Sequence, residues 1–165
     1  MKSLPRLCAL ALCAGALAMP ALADDALCDG EWRGTKIKGN LRVASGKTCV
    51  LNDMRITGNL RLEDGARLEA SGMDLDGNLE SRGAAHVEVT SGSSIGGNVQ
   101  IERSHSVRLR TTRVNGNVKL RHNSGWLELM HNRVGGNLEC SSNHPAPHGG
   151  GNRVKGNQED QCAKL

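Results

Sequence analysis

The chain contains no phenylalanine and no tyrosine, and Trp32 and Trp126 are its only tryptophans. Carbohydrate-binding surfaces usually offer several aromatic platforms, so this scarcity weighs against a groove of that type. No Cys-x-x-Cys spacing occurs, which weighs against a zinc or redox role for the cysteines. After residue 24 no 3.6-residue apolar rhythm competes with strand patterning. No Ser-His-Asp arrangement, phosphate-cradling glycine loop or Cys-His pair stands out. Neither sign of charge dominates, for the formal net charge of the 165 residues is +4. That balance gives no footing for nucleic-acid binding.

What is present is a beat. Gly-Asn occurs at Gly39-Asn40, Gly58-Asn59, Gly77-Asn78, Gly97-Asn98, Gly116-Asn117, Gly136-Asn137 and Gly156-Asn157, at intervals of 19, 19, 20, 19, 20 and 20 residues. A fixed period in this range marks a solenoid, each repeat a unit stacked on the next. Most units open Gly-Asn-(Leu/Val)-x-aliphatic, as in Gly58-Asn59-Leu60-Arg61-Leu62, the period-2 pattern of a half-buried strand. A second alternating run follows half a coil later: Cys49-Val50-Leu51, Leu68-Glu69-Ala70, Val87-Glu88-Val89, Val107-Arg108-Leu109 and, displaced by one, Leu127-Glu128-Leu129. A third apolar residue stands two positions before each Gly, from Ile37 to Val154.

These patterns predict an all-β, single-stranded, right-handed parallel β-helix of about seven coils, a rod about 34 Å long at one strand spacing per coil. Coil lengths that vary between 19 and 20 favour the right hand over the stricter hexapeptide rhythm of left-handed forms, and the crossover preference agrees. The Gly-Asn pair is read as corner chemistry: Gly and Asn both tolerate positive φ. Asn40, Asn59, Asn78, Asn98, Asn117, Asn137 and Asn157 are expected to stack as a hydrogen-bonded structural ladder, not as a ligand-binding row. Outside, Glu63, Arg82, Glu102 and Arg121 form a column of alternating sign that should pin the register.

Residues 1–23 read as a secretory signal: Lys2 and Arg6, the apolar run Leu7 to Leu17, then Ala21-Leu22-Ala23 before Asp24. The run is too short to anchor the chain in a membrane. The expected mature domain is 24–165. Without Lys2 and Arg6 the 21 basic residues fall to 19 against 17 acids, a net charge of +2. Cys28, Cys49, Cys140 and Cys162 survive cleavage, an even count that suits an exported, disulfide-bonded chain in the periplasm or outside the cell. Cys28 and Cys49 lie 21 residues apart and Cys140 and Cys162 lie 22 apart, each about one coil, so the pairs should close the first and last coils.

Candidate chemistry is thin. Asp53, Asp74 and Asp76 fall at different coil positions, whereas acid-base pairs must converge. His86, His105, His122 and His131 share no position, and His144 with His148 is too few ligands for a tetrahedral metal site. The run from Ser141 to Gly151, rich in Pro and Gly, is expected to be a loop and the place where a partner would touch. Trp126, next to a one-residue insertion, is expected to pack into the core.

The closing run from Asn143 through Pro145-Ala146-Pro147, Gly149-Gly150-Gly151-Asn152, Val154, Gly156-Asn157, Glu159 and Gln161-Cys162 resembles the C-terminal segment of small exported bacterial proteins with Gly-Asn-(Leu/Val) repeats, which look like parallel β-helices. There is a looser likeness to bactofilins, β-helical proteins that polymerise. This chain departs from them in its signal and its disulfide-closed ends, which should block end-to-end assembly and leave a monomer. The resemblance implies architecture and carries over no catalytic residue or cofactor. The expected function is a non-enzymatic exported structural or interaction module, with an envelope protein or a polysaccharide as partner. The alternative is a polysaccharide-binding or polysaccharide-active β-helix of lyase or hydrolase type.

Overall fold

Each Leu/Val-x-aliphatic segment finds its counterpart one coil away. In a computed structural model that describes residues 25–165, these segments form sheet 1, eight parallel strands from Ala26–Leu27 to Gln158–Asp160. The second alternating run forms sheet 2, seven strands from Gly30–Arg33 to His148–Gly150. Sheet 3 consists of seven two-residue strands, from Lys36–Ile37 to Arg153–Val154. The chain visits sheets 1, 2 and 3 in turn and returns through Gly-Asn, closing a parallel β-solenoid of about seven turns with no helix among the described residues. The expected signal, residues 1–23, lies outside the described residues.

Register sets like over like. Leu41, Leu60, Leu79, Val99, Val118 and Leu138 are successive Cα partners on sheet 1 and are at most 1% exposed. Ile56, Leu75, Ile95 and Val114 do the same on sheet 3. Because side chains alternate about the pleat, a slip of one residue would turn every such stack outward, so burial pins the register. Each buried aliphatic contributes about 1.5–3 kcal/mol, and the stacks fill the interior with aliphatic side chains, with Trp32 over Leu51 packed against the core at the first coil.

The Gly-Asn corner works differently from the expectation. Of the seven pair glycines only Gly39 has positive φ, at 105°, and none of the paired asparagines does. Left-handed residues occupy the other two corners instead: Asp53, Thr111 and His131 between sheets 2 and 3, and Arg103, His122 and Ser142 between sheets 1 and 2. The pair glycines are required by close approach. A Cβ on Gly58 would lie 2.5 Å from both the Gly39 carbonyl oxygen and Asn40 Oδ1. Asn40 Oδ1 is there because it accepts the backbone N–H of Asn59 at 2.9 Å and the Asn59 Nδ2 at 3.3 Å. The same backbone bond recurs from Asn78 to Asn59, Asn98 to Asn78, Asn117 to Asn98, Asn137 to Asn117 and Asn157 to Asn137, at 2.8–3.0 Å.

Two further ladders run inside the other corners, at the C-terminal end only. Asn123 accepts the backbone N–H of Ser104, Asn143 that of Asn123, and Gln161 Oε1 that of Asn143. Asn132 accepts from Thr112 and Asn152 from Asn132. Toward the N-terminus the corner between sheets 2 and 3 holds Met54 and Met73 instead. Asn143 is fully buried and also donates to the Leu120 carbonyl oxygen, whereas the Asn98 ladder bonds lie at an exposed position. Water can replace an exposed ladder bond and cannot reach a buried one. Asn143→Ala is therefore expected to lower stability by roughly 2–3 kcal/mol and Asn98→Ala by about 1 kcal/mol. Chemical denaturation of both variants checks the order, and equal losses would sink the burial argument.

Both ends are stapled. Cys28 bonds Cys49 with Cα atoms 5.6 Å apart and Cys140 bonds Cys162 at 5.2 Å, the pairing anticipated from coil length. Two expectations are overturned. The Pro/Gly run is not a loop throughout, because His148–Gly150 is the last strand of sheet 2, paired with Glu128, Leu129 and Met130. Gly149 can join it because a side chain there would collide with the Leu129 backbone. Trp126 is 56% exposed, since strand alternation turns its neighbour Leu127 inward and Trp126 out.

Candidate functional site

Three outer faces result, and their charge is handled in different ways. On sheet 1 the column Glu63, Arg82, Glu102 and Arg121 is only partly linked within itself. Arg82 reaches Glu102 at 3.6 Å, but Glu63 pairs with Arg42 at 2.7 Å, and Arg121 with Glu139 at 3.1 Å. The physical reason is a second outward column two residues earlier, in which Arg42 and Glu139 offer shorter diagonal partners of opposite sign. Arg42 and the Ser45 N–H hold Glu63 below the usual carboxylate range, and Lys119 with Arg121 does the same for Glu139. A shallow groove of about 440 Å³ on this face is lined by Arg61 and Arg82 against Glu63, Asp64, Glu80 and Glu102, mixed in sign with acids in excess.

Sheet 2 carries the densest network. Arg108 donates to Glu88 at 2.8 Å and to Glu128 at 2.9 Å, across three successive coils. Arg110 stands 3.6 Å from the other Glu128 oxygen, and His86 is 3.4 Å from Glu88. Glu128 points outward yet is only 9% exposed, because both arginines cover it. Trp126 and His148 meet edge to face nearby, with ring centroids 4.0 Å apart.

Sheet 3 divides along its length. Its outward column reads Lys36, Arg55, Asp74, Ser94, Arg113, Arg133 and Arg153 in register. At the N-terminal half Arg55 takes both acids, Asp74 at 2.8 Å and Asp76 at 3.2 Å, so two of the candidate carboxylates are brought together by an ion pair. Asp53 sits apart, at the left-handed corner. In the C-terminal half Arg113, Arg133 and Arg153 stand directly above one another, all exposed, with Lys155 two residues beyond. Among the described residues none of these four pairs with a carboxylate. They line an open groove of about 570 Å³ with Asn115 and Gly135 as its floor. Like charges directly opposite on neighbouring strands oppose folding, so this row costs the fold stability instead of adding to it.

The histidines stay dispersed. His122 and His131 occupy different left-handed corners, and His144 bridges to Ser124 while His148 lies in sheet 2. Among the described residues no group of three or more His, Cys, Asp or Glu is placed to hold a metal ion, and no helix is long and apolar enough to cross a membrane. Sequence reasoning passed over the arginine row. Its signal was the thrice-repeated Arg-Val in Thr112-Arg113-Val114, Asn132-Arg133-Val134 and Asn152-Arg153-Val154, each four residues before a paired Asn. No protein-family model, curated protein or solved structure matches the chain.

Proposed function

We propose that the chain is a non-enzymatic exported solenoid that acts as a rigid interaction module, binding through the C-terminal half of sheet 3. The observation that carries this reading is the segregation of charge. Glu63, Glu88, Glu128 and Glu139 on sheets 1 and 2, and Asp74 with Asp76 on sheet 3, are held by neighbouring cations, while Arg113, Arg133, Arg153 and Lys155 face solvent with no carboxylate partner among the described residues. Carboxylates clamped in ion pairs do not share protons in the manner of a hydrolase or lyase pair. Two disulfides fit an oxidising compartment, the periplasm or the cell exterior, and favour a monomer with closed ends. The polysaccharide-binding alternative draws support from the same cationic row, which does not need aromatic platforms. Incubation with a panel of neutral, uronate and aminosugar polymers is expected to release no new reducing ends and no unsaturated uronate. Release that persists in purified protein and vanishes on replacing Asp74 would overturn the non-enzymatic reading.

A further inference from the structure

We infer that the Arg113-Arg133-Arg153 row is a binding site for a linear, carboxylate-bearing polysaccharide lying parallel to the solenoid axis. The inference rests on the interaction-module reading and gives that module a ligand class. Three guanidinium groups recur at one strand spacing, roughly 4.8 Å, along a straight line set by Cα partnership. A repeating polyanion presents charge with a comparable linear rhythm, and a solenoid face is the surface that can follow it without bending. Arginine's planar fork engages a carboxylate through two parallel hydrogen bonds, which a lysine cannot do. Lys155 extends the positive field at the last coil, and Gly135, whose Cβ would strike the Asn115 backbone, leaves the floor beside the row without a side chain.

Other polyanions fit less well. Single-stranded nucleic acid sites add aromatic platforms for base stacking, and both tryptophans belong to sheet 2 coils. An anionic bilayer is usually gripped by apolar side chains as well as charge. The exposed large apolar residues among those described, Leu27 and Trp126, lie off sheet 3. Strand addition by an acidic peptide would use the edge of sheet 3 at Arg153–Val154, and would leave Arg133 and Arg113 one and two strands further in.

The probe is an oligogalacturonate of defined length, titrated calorimetrically against the full mature chain at two salt concentrations. Dextran, the carboxylate-free polyanion dextran sulfate, single-stranded DNA and phosphatidylglycerol vesicles serve as comparisons. Binding to the oligogalacturonate, weakened by salt, is expected. Arg133→Gln should weaken it about threefold and the Arg113→Gln/Arg133→Gln/Arg153→Gln variant about tenfold or more, in line with exposed ion pairs. The control Arg61→Gln/Arg67→Gln/Arg103→Gln removes the same charge from exposed sites elsewhere and should stay within about twofold of the parent. Equal weakening by both triple variants would reduce the effect to net charge and overturn the site. So would no binding, or tighter binding to dextran sulfate, DNA or vesicles than to the uronate. Absence of binding without turnover sinks this site and its ligand and leaves the non-enzymatic reading standing, whereas uronate cleavage sinks the non-enzymatic module on which the inference rests.

Discussion

Removing each disulfide by a double alanine replacement, Cys28→Ala/Cys49→Ala and Cys140→Ala/Cys162→Ala, is expected to lower stability by roughly 3 kcal/mol. The two staples stand at opposite ends of the rod and share no partners, so removing both should cost about twice as much. Folded domains have only about 5–15 kcal/mol in hand, and the quadruple variant should therefore unfold well below the parent's melting temperature. The cause is partly general, since closing loops of 21 and 22 residues restricts the unfolded chain. It is also specific to a solenoid, in which an end coil touches one neighbour only and frays first. Cys162 is fully buried and Leu165 packs against the same core, so the last staple holds down the turn that covers the final coil. Hydrogen exchange should show the loss of protection at the C-terminal staple concentrated near Gln158–Asp160 and Arg153–Val154. Unchanged melting in either double variant, or a Cys28–Cys162 link in non-reducing peptide maps, would refute the end-cap account.

Gly116→Ala is expected to destabilise by about 3 kcal/mol, at the upper end for forced overpacking. Its φ is not positive, so on conformational grounds alone alanine should be harmless or slightly stabilising. Packing reverses the sign. A Cβ at Gly116 would meet Asn98 Oδ1 and the Gly97 carbonyl oxygen, and a backbone locked by hydrogen bonds above and below cannot retreat. The displaced Asn98 oxygen is also the acceptor of the Asn117 N–H, so one methyl group breaks a ladder bond as well. Gly150→Ala is the contrast: φ is ordinary, nothing lies within 4 Å, and stability should hold or rise slightly. If thermal melts show the two variants equally affected, the close-approach explanation of the beat fails.

The beat was legible because stacking repeats a steric demand once per coil, and a repeated demand leaves a repeated residue. That is why Gly-Asn, the inward aliphatics and the cysteine spacing could be read from the chain. The reason for the glycine could not. Positive φ and a missing Cβ's clearance leave the same letter in a sequence, and only the position of Asn40 Oδ1 under Gly58 separates them. The buried ladders of Asn123-Asn143 and Asn132-Asn152 were missed because each extends over too few coils to show as a period. Trp126 was misplaced for a related reason: the inserted Gly125 obscures the parity that turns its side chain outward.

The linear order of residues dictated an all-strand coil, its period, its aliphatic filling and its paired ends, because each depends on what recurs along one chain. The charge map needed the closed coils. Arg113, Arg133 and Arg153 are 20 residues apart and unremarkable singly, and whether each meets a carboxylate depends on side chains from coils above and below. Arg55 finds Asp74 and Asp76 there, while Arg133 finds two more arginines. Electrostatic neighbours on a solenoid are set across coils, by register, and that is where the candidate site comes into being.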